Sequence, residues 1–182
     1  MIMCIDCDNV LNNLQEVVIK IFNERYDTNY TMDYFTDYNV ENDLPLQNAL
    51  IMKKLYAEPG LYDHVKPLQG AQNALQKLVD LGHQIYIVTD AIPDTYGEKV
   101  AWIRTFFPCI DAAHIVAMKH KFLFKCDVMI EDNIDNLIAR PWTERICFDY
   151  PWNRNVRDYV YDIYRVTNWE QVLEIVNKLK VE

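Results

Sequence analysis

The sequence predicts an α/β protein: a parallel β-sheet flanked by helices, with a small helical segment inserted directly after the first strand. Three observations carry this. Short apolar runs rich in β-branched residues recur as MIMCID, QIYIVTD, HIVAM, CDVMIED and RICFDY, and their hydrophobicity is continuous, as in strands covered on both faces. Helical patterns lie between them, the alternation expected of an α/β chain. Between residues 14 and 68 the pattern changes to two amphipathic helices around a Tyr/Asp/Asn-rich stretch without a convincing buried strand.

The first strand opens the chain and runs straight into Asp6 and Asp8, one cysteine apart. LQEVVIKIFNERY and LPLQNALIMKKLY then flank DTNYTMDYFTDYNVEND, which reads as a small helical cap over 14–68. Residues 1–13 and 69–182 make up the remaining α/β core domain. In the helix over 71–81, Ala71, Ala74, Leu75, Leu78 and Val79 form one stripe, and Gly82 is its stop. The second strand ends at Thr89 and Asp90. Lys119 and Lys121 follow the short third strand, and the fourth ends at Glu131 and Asp132, with Asp135 a turn later. After the fifth strand, a last helix starts at Asn168 with Gln171 three residues on, burying Val172, Leu173, Val176 and Leu179.

At 182 residues, 51% of them apolar, the chain can bury a sizeable core as one domain with an insertion. Its formal net charge of −9 and lack of a Lys/Arg run argue against a nucleic-acid polymer as partner, while leaving room for a small anion. No stretch approaches the roughly 20 apolar residues of a membrane span, and the N-terminus lacks a leader pattern, so a cytoplasmic protein is expected. Five cysteines, Cys4, Cys7, Cys109, Cys126 and Cys147, cannot all pair, which suits a reducing compartment. Cys4 and Cys7 spell C-x-x-C. Residues three apart on a strand point to opposite faces, however, so the pair is read as packing.

Ligands of doubly wound sheets collect beyond the carboxyl ends of the strands. There this sequence gathers Asp6, Asp8, Thr89, Asp90, Glu131 and Asp132, with Lys119 and Lys121 close by. Singly these residues are ordinary: Asp marks turns, and Asp132 alone reads as an N-cap for the next helix. Together, so many carboxylates would repel one another without a cation. An all-oxygen set of two or three carboxylates suits Mg²⁺, with phosphate bridging metal and lysine.

D-x-D-x-V-L on a first strand, a strand-end Thr, a Lys and then an acidic pair after an apolar strand resemble the motif series of haloacid-dehalogenase-like (HAD) phosphohydrolases, across essentially the whole chain. Within that superfamily the sequence is most similar to the 5'(3')-deoxyribonucleotidase group, through GLYDHVKPLQGAQNAL, EKVAWIRTFFP, KFLFKCDVMIEDN and CFDYPWNRN. The resemblance implies a Rossmann-like HAD fold and a Mg²⁺-dependent phosphomonoesterase acting on nucleoside monophosphates. Asp6 is implied as the nucleophile and Asp8 as the acid and base. Mg²⁺ would be held by Asp6, Asp132 and the backbone carbonyl of Asp8, with Glu131 and Asp135 beside the metal rather than on it. Thr89 and a lysine, Lys121 by spacing rather than Lys119, would contact phosphate, with Lys99 a further candidate. Two aspartates two residues apart on a strand also point to the same side, where one can attack phosphorus and the other can handle the proton.

Three positions depart from the group. Asp90 stands where a small residue is common, Glu131 replaces Asp, and Asn9 replaces Gly at a tight turn that Asn tolerates. In the cap, Tyr34, Phe35 and Tyr38 can stack on a base or simply pack. Trp152 and Asn153 match a family segment without an implied role. A homodimer is compatible with the sequence but not required by it.

Three other readings compete. A receiver-like signalling module places its phosphorylated Asp on a middle strand and its Lys near the end, unlike the order here. A fold that has lost activity would lack a motif residue, and none is missing. A phosphatase of another small metabolite, such as a sugar phosphate, differs only in the leaving group.

Overall fold

The computed structural model describes residues 1–156 and 161–179. Six strands form one sheet: β1 (Ile2–Ile5), β2 (Gln84–Thr89), β3 (Ile115–Ala117), β4 (Val128–Glu131), β5 (Glu144–Phe148) and β6 (Ile163–Val166). They are ordered β3-β2-β1-β4-β5-β6, and every pairing is parallel. The five apolar runs read from the sequence become β1 to β5. The sixth strand is an addition. On β6 only Ile163 and Val166 are buried and Tyr164 is exposed, so an edge position dilutes the continuous apolar signature that marks the inner strands.

Side chains alternate across the sheet and feed two buried clusters. Met3 and Ile5 join the larger one and Cys4 the smaller, with Val88, Met129 and Cys147. Cys7 falls in the larger cluster, on the opposite side from Cys4, so the C-x-x-C pair is split between two layers.

The chain leaves β1 into α1 (Leu14–Tyr26) and α2 (Leu46–Tyr56), with 3-10 turns at Met32–Tyr34, Val40–Asn42 and Leu61–Asp63 and no strand. Both ends of this segment lie side by side: Asn12 bridges Pro67, and the Leu68 N–H donates to the Leu11 carbonyl at 2.8 Å. Val17, Phe22, Met52 and Leu55 pack into the same cluster as Met3 and Ile5.

Three further helices support the sheet: α3 (Ala71–Asp80), α4 (Pro93–Phe106) and the short α5 (Ile134–Ile138). In α3 the expected stripe buries Ala71, Ala74, Leu75 and Leu78, while Val79 is half-buried. Gly82 beyond it has φ 81°, a left-handed stop. Leu78 is fully buried. Leu78→Ala should therefore cost about 2–5 kcal/mol in a denaturant titration.

The last helix, α6, spans Trp169–Leu179. Asn168 caps it by accepting from the Gln171 N–H at 3.0 Å. The Gln171 side chain accepts in turn from the Thr167 N–H at 2.7 Å, one residue before the expected partner. Trp169 packs against Phe148 and donates its indole N–H to the Val10 carbonyl at 2.9 Å. That bond ties the last helix to the turn that carries the first two aspartates.

Candidate active site

The chain enters the sheet at β1 and builds outward to β2 and β3, then crosses to β4 on the other side of β1. This creates a crevice at the carboxyl end of β1. Asp6 stands at its base, 5% exposed, with its N–H on the Ile130 carbonyl at 3.0 Å. Its Oδ1 accepts from the Cys7 N–H at 2.7 Å and from Lys121 Nζ at 2.6 Å. Asn9 closes the turn with φ 59°, a left-handed conformation that asparagine tolerates.

Lys121 lies in the 3-10 turn Lys121–Leu123 and is almost fully buried, at 2.6 Å from both Asp6 and Glu131. Burial alone would strip its proton, but Asp6 and Glu131 hold the ammonium well above the usual lysine range. Lys119 is exposed, so the geometry brings Lys121 and not Lys119 to the crevice.

Asp132 follows β4 and is 1% exposed. Its Oδ2 accepts from Asn9 Nδ2 at 3.2 Å, and its backbone carbonyl from Asn153 Nδ2 at 2.8 Å. Burial, Asp6 and Glu131 push its carboxyl well above the ordinary range. Burial and Asp6 likewise push Glu131 up to about 7. Oxygens of Asp6, Glu131 and Asp132 lie within 4.8 Å of one another. Three buried carboxylates against one lysine leave excess negative charge, and hard oxygen donors in that number fit Mg²⁺. Glu131 also accepts from the Asn133 N–H and from Asn136, which ties it to the helix start and leaves Asp6 and Asp132 freer toward a metal. Asn133, not Asp132, caps α5 by accepting from the Asp135 N–H at 3.0 Å, and Asp135 is exposed.

Asp8 occupies the other side of the crevice. Its Oδ2 accepts from Lys99 Nζ at 2.7 Å, and its Oδ1 from Asn12 Nδ2 and the Tyr62 hydroxyl, each at 3.0 Å. Burial opposes its charge, yet Lys99 and these donors pull the carboxyl below its usual range. Lys99, on α4, is 4% exposed and reaches Thr89 Oγ1 at 3.1 Å and the Asp90 carbonyl at 2.7 Å. Lys99 is thus a buried member of the crevice rather than a solvated helix lysine. Asp90 turns its side chain onto the Ala91 N–H at 2.9 Å, so its charge is partly engaged by its own backbone.

A cavity of about 330 Å³ opens over these groups. Asp8, Asn9, Asp90, Lys99 and Asp132 line its floor, and Phe35, Tyr38, Tyr56 and Lys53 its inserted-segment side. Phe35 is 1% exposed and serves the buried cluster as well as the wall. Tyr34 is not brought to the cavity; its ring packs on Tyr30 and Phe35. The sequence reading did not single out Asn12 or Tyr62, the two neutral donors to Asp8. Asn12 also accepts from the Leu14 N–H at 3.0 Å, a helix-start contact that the Asn-Asn pair before α1 could have signalled.

Comparisons with known proteins give the family and the fold. Residues 1–181 match the family model described as 5' nucleotidase, deoxy (pyrimidine), cytosolic type C protein. A Staphylococcus aureus protein provisionally named a 5'(3')-deoxyribonucleotidase is 32% identical over 172 residues, 93% of this chain and 92% of its own. The 5'(3')-deoxyribonucleotidase of Bacillus subtilis is 32% identical over 114 residues, 62% of this chain and 63% of its own. Among solved structures, a haloacid dehalogenase-like hydrolase from Streptococcus pneumoniae superposes with a TM-score of 0.67 at 10% identity, covering 96% of this chain and 97% of its own. A HAD family hydrolase from Deinococcus radiodurans, crystallised with phosphate and sodium, gives 0.64 at 13% identity, covering 97% and 94%. With the fold of HAD-like hydrolases and a family match over nearly its whole length, the chain is a hydrolase of phosphoric monoesters and belongs to the cytosolic type C 5'-nucleotidase family.

Proposed function

We propose that this chain hydrolyses deoxynucleoside and nucleoside monophosphates to nucleoside and phosphate through an aspartyl-phosphate on Asp6. The observation that carries the reading is the pairing of two lysine-held aspartates at one strand end: Lys121 on Asp6 and Lys99 on Asp8, 2.6 and 2.7 Å away. A carboxylate steadied by an ammonium is placed to attack phosphorus, and its neighbour to serve the leaving oxygen.

In the first step an Asp6 oxygen forms a bond to phosphorus as the ester P–O bond breaks, and Asp8 gives its proton to the leaving oxygen. The incoming phosphate dianion competes with Asp8 for the Lys99 ammonium, which already reaches Thr89, and the weaker hold on Asp8 favours the protonated acid. In the second step Asp8 takes a proton from water, whose oxygen attacks phosphorus and releases Asp6. Lys99, Lys121 and Thr89 offset the charge that develops on the phosphoryl oxygens. Asp6 and Asp132 would hold Mg²⁺, with the backbone carbonyl of Asp8. The ion supplies Lewis-acid polarisation and neutralises phosphate charge.

The segment 14–68 acts as a cap that keeps bulk water from the intermediate and presents Phe35 and Tyr38 to the leaving nucleoside. No described helix is long and apolar enough to cross a membrane. No disulfide joins the five cysteines, all of them among the described residues, which suits the reducing cytoplasm in which nucleotide turnover would take place.

The test is phosphate release from deoxy- and ribonucleoside monophosphates, sugar phosphates and an aryl phosphate, with Mg²⁺ and with chelator. Metal-dependent turnover that favours nucleotides is expected. Faster turnover of sugar phosphates than of any nucleotide would replace the substrate class, and equal rates in chelator would remove the metal.

A further inference from the structure

Two residues that line the cavity each carry a buried N–H donor that finds no acceptor among the described residues. Trp152 is 8% exposed and Gln15 7%, and both line the cavity. Neither Trp152 Nε1 nor Gln15 Nε2 has a hydrogen-bond partner among the described residues. An indole N–H can only donate, so no reorientation of the group turns it into an acceptor. A buried donor left unmatched is costly, and two on the wall of one cavity point to a ligand that supplies what they lack.

Both donors connect to the same residue. The Gln15 backbone N–H donates to Asn9 Oδ1 at 2.9 Å, and Asn9 Nδ2 donates to Asp132. On the other flank Asn153, next to Trp152, donates to the Asp132 carbonyl. The backbone of Gln15 and the neighbour of Trp152 are thus linked to Asp132, whereas Lys99 and Thr89 lie on the Asp8 side. Each is also held in place. The Trp152 ring stacks on Tyr150 with centroids 4.4 Å apart and planes 5° from parallel, and the Gln15 side-chain oxygen accepts from the Tyr56 hydroxyl. Donors fixed before binding lose little freedom on binding.

Neutral N–H groups suit a neutral acceptor, while the two buried lysines already serve the phosphoryl charge. Resting on the nucleotidase reading, we infer that Trp152, with Gln15 beside it, is a specificity-determining donor to an uncharged acceptor oxygen on the nucleoside. That oxygen belongs either to the sugar or to a base carbonyl.

Trp152→Phe keeps an aromatic ring against Tyr150 and removes the N–H together with the pyrrole part of the indole. The experiment measures kcat/KM of wild type and variant for thymidine 5'-monophosphate, 2-deoxyribose 5-phosphate and p-nitrophenyl phosphate with Mg²⁺. The nucleotide-to-aryl ratio should fall about fivefold, the scale of one neutral hydrogen bond. A matching fall in the sugar-phosphate ratio places the oxygen on the sugar, and a fall confined to the nucleotide places it on the base. Unchanged ratios overturn the assignment. If Trp152→Phe does not fold by thermal melting, Gln15→Met is judged by the same ratios.

Failure of the nucleotidase reading shows separately, as a wild type that hydrolyses the aryl phosphate but no nucleotide. The sugar-phosphate ratio then decides alone: a fall supports the donor role, and no fall or no sugar-phosphate turnover overturns it. A wild type inert toward all three esters overturns both readings.

Discussion

Asp6→Asn should lower kcat by at least about 10⁴-fold on every ester the chain hydrolyses, the order of loss seen when a covalent nucleophile is removed. The substitution preserves shape and the acceptor for the Cys7 N–H, so the turn should survive. What disappears is the negative oxygen that attacks phosphorus. Lys121 retains Glu131 at 2.6 Å, and the variant should melt within a few degrees of the parent. Acid quenching during turnover should trap phosphate on the wild-type chain and none on the variant. Asp8→Asn makes the contrast, because it keeps the nucleophile and removes the proton carrier. Residual activity within tenfold of the parent for Asp6→Asn would show that the attacking group lies elsewhere.

Lys121→Met should affect folding as strongly as it affects chemistry. The ammonium neutralises part of a cluster in which Asp6, Glu131 and Asp132 are all at most 5% exposed. Removing one partner of a buried ion pair costs about 3–5 kcal/mol, because the remaining charge stays desolvated. For a chain of this size that corresponds to a fall in Tm of roughly 10 °C. The pH dependence has a definite sign. Glu131 is pushed up to about 7 in the folded protein, against about 4.3 for an unfolded glutamate. Lys121 lowers this carboxyl, so without it Glu131 keeps its proton to still higher pH, and the deficit should shrink as pH falls toward about 7, below which both folded proteins hold the proton. Millimolar Mg²⁺ should recover part of the lost Tm at pH 8. A variant as stable as the parent at pH 8 without metal would mean that the carboxylates are neutralised some other way.

The parts of this molecule that were legible in the sequence share one property: a local pattern fixes them. Continuous apolar runs identify inner strands because both faces of such a strand are buried, and Asn9 could be read as a turn residue because few side chains tolerate φ 59°. Spacing also favoured Lys121 over its neighbour, and burial agrees. What could not be read depends on contacts between distant segments. Tyr62 meets Asp8 across 54 positions and Asn153 meets Asp132 across 21, with no periodicity to announce either bond. Tyr34 and Phe35 look equivalent as text, but the 3-10 turn at Met32–Tyr34 sends Phe35 into the core and leaves Tyr34 on its surface. β6 escaped because, at the sheet edge, it buries only Ile163 and Val166 and lacks a continuous apolar run.

The place of β1 at the centre of the sheet bears on how the chain is made. The ribosome delivers this strand before its partners, β2, beginning at Gln84, and β4, beginning at Val128. Until well over a hundred further residues have emerged, a four-residue apolar ribbon has at least one unpaired hydrogen-bonding edge, available to any other nascent strand. The aspartates that end it would be charged interruptions of that ribbon, of the kind that discourages edge-to-edge stacking. The residues proposed to break phosphate esters in the finished protein would then guard its first strand during synthesis.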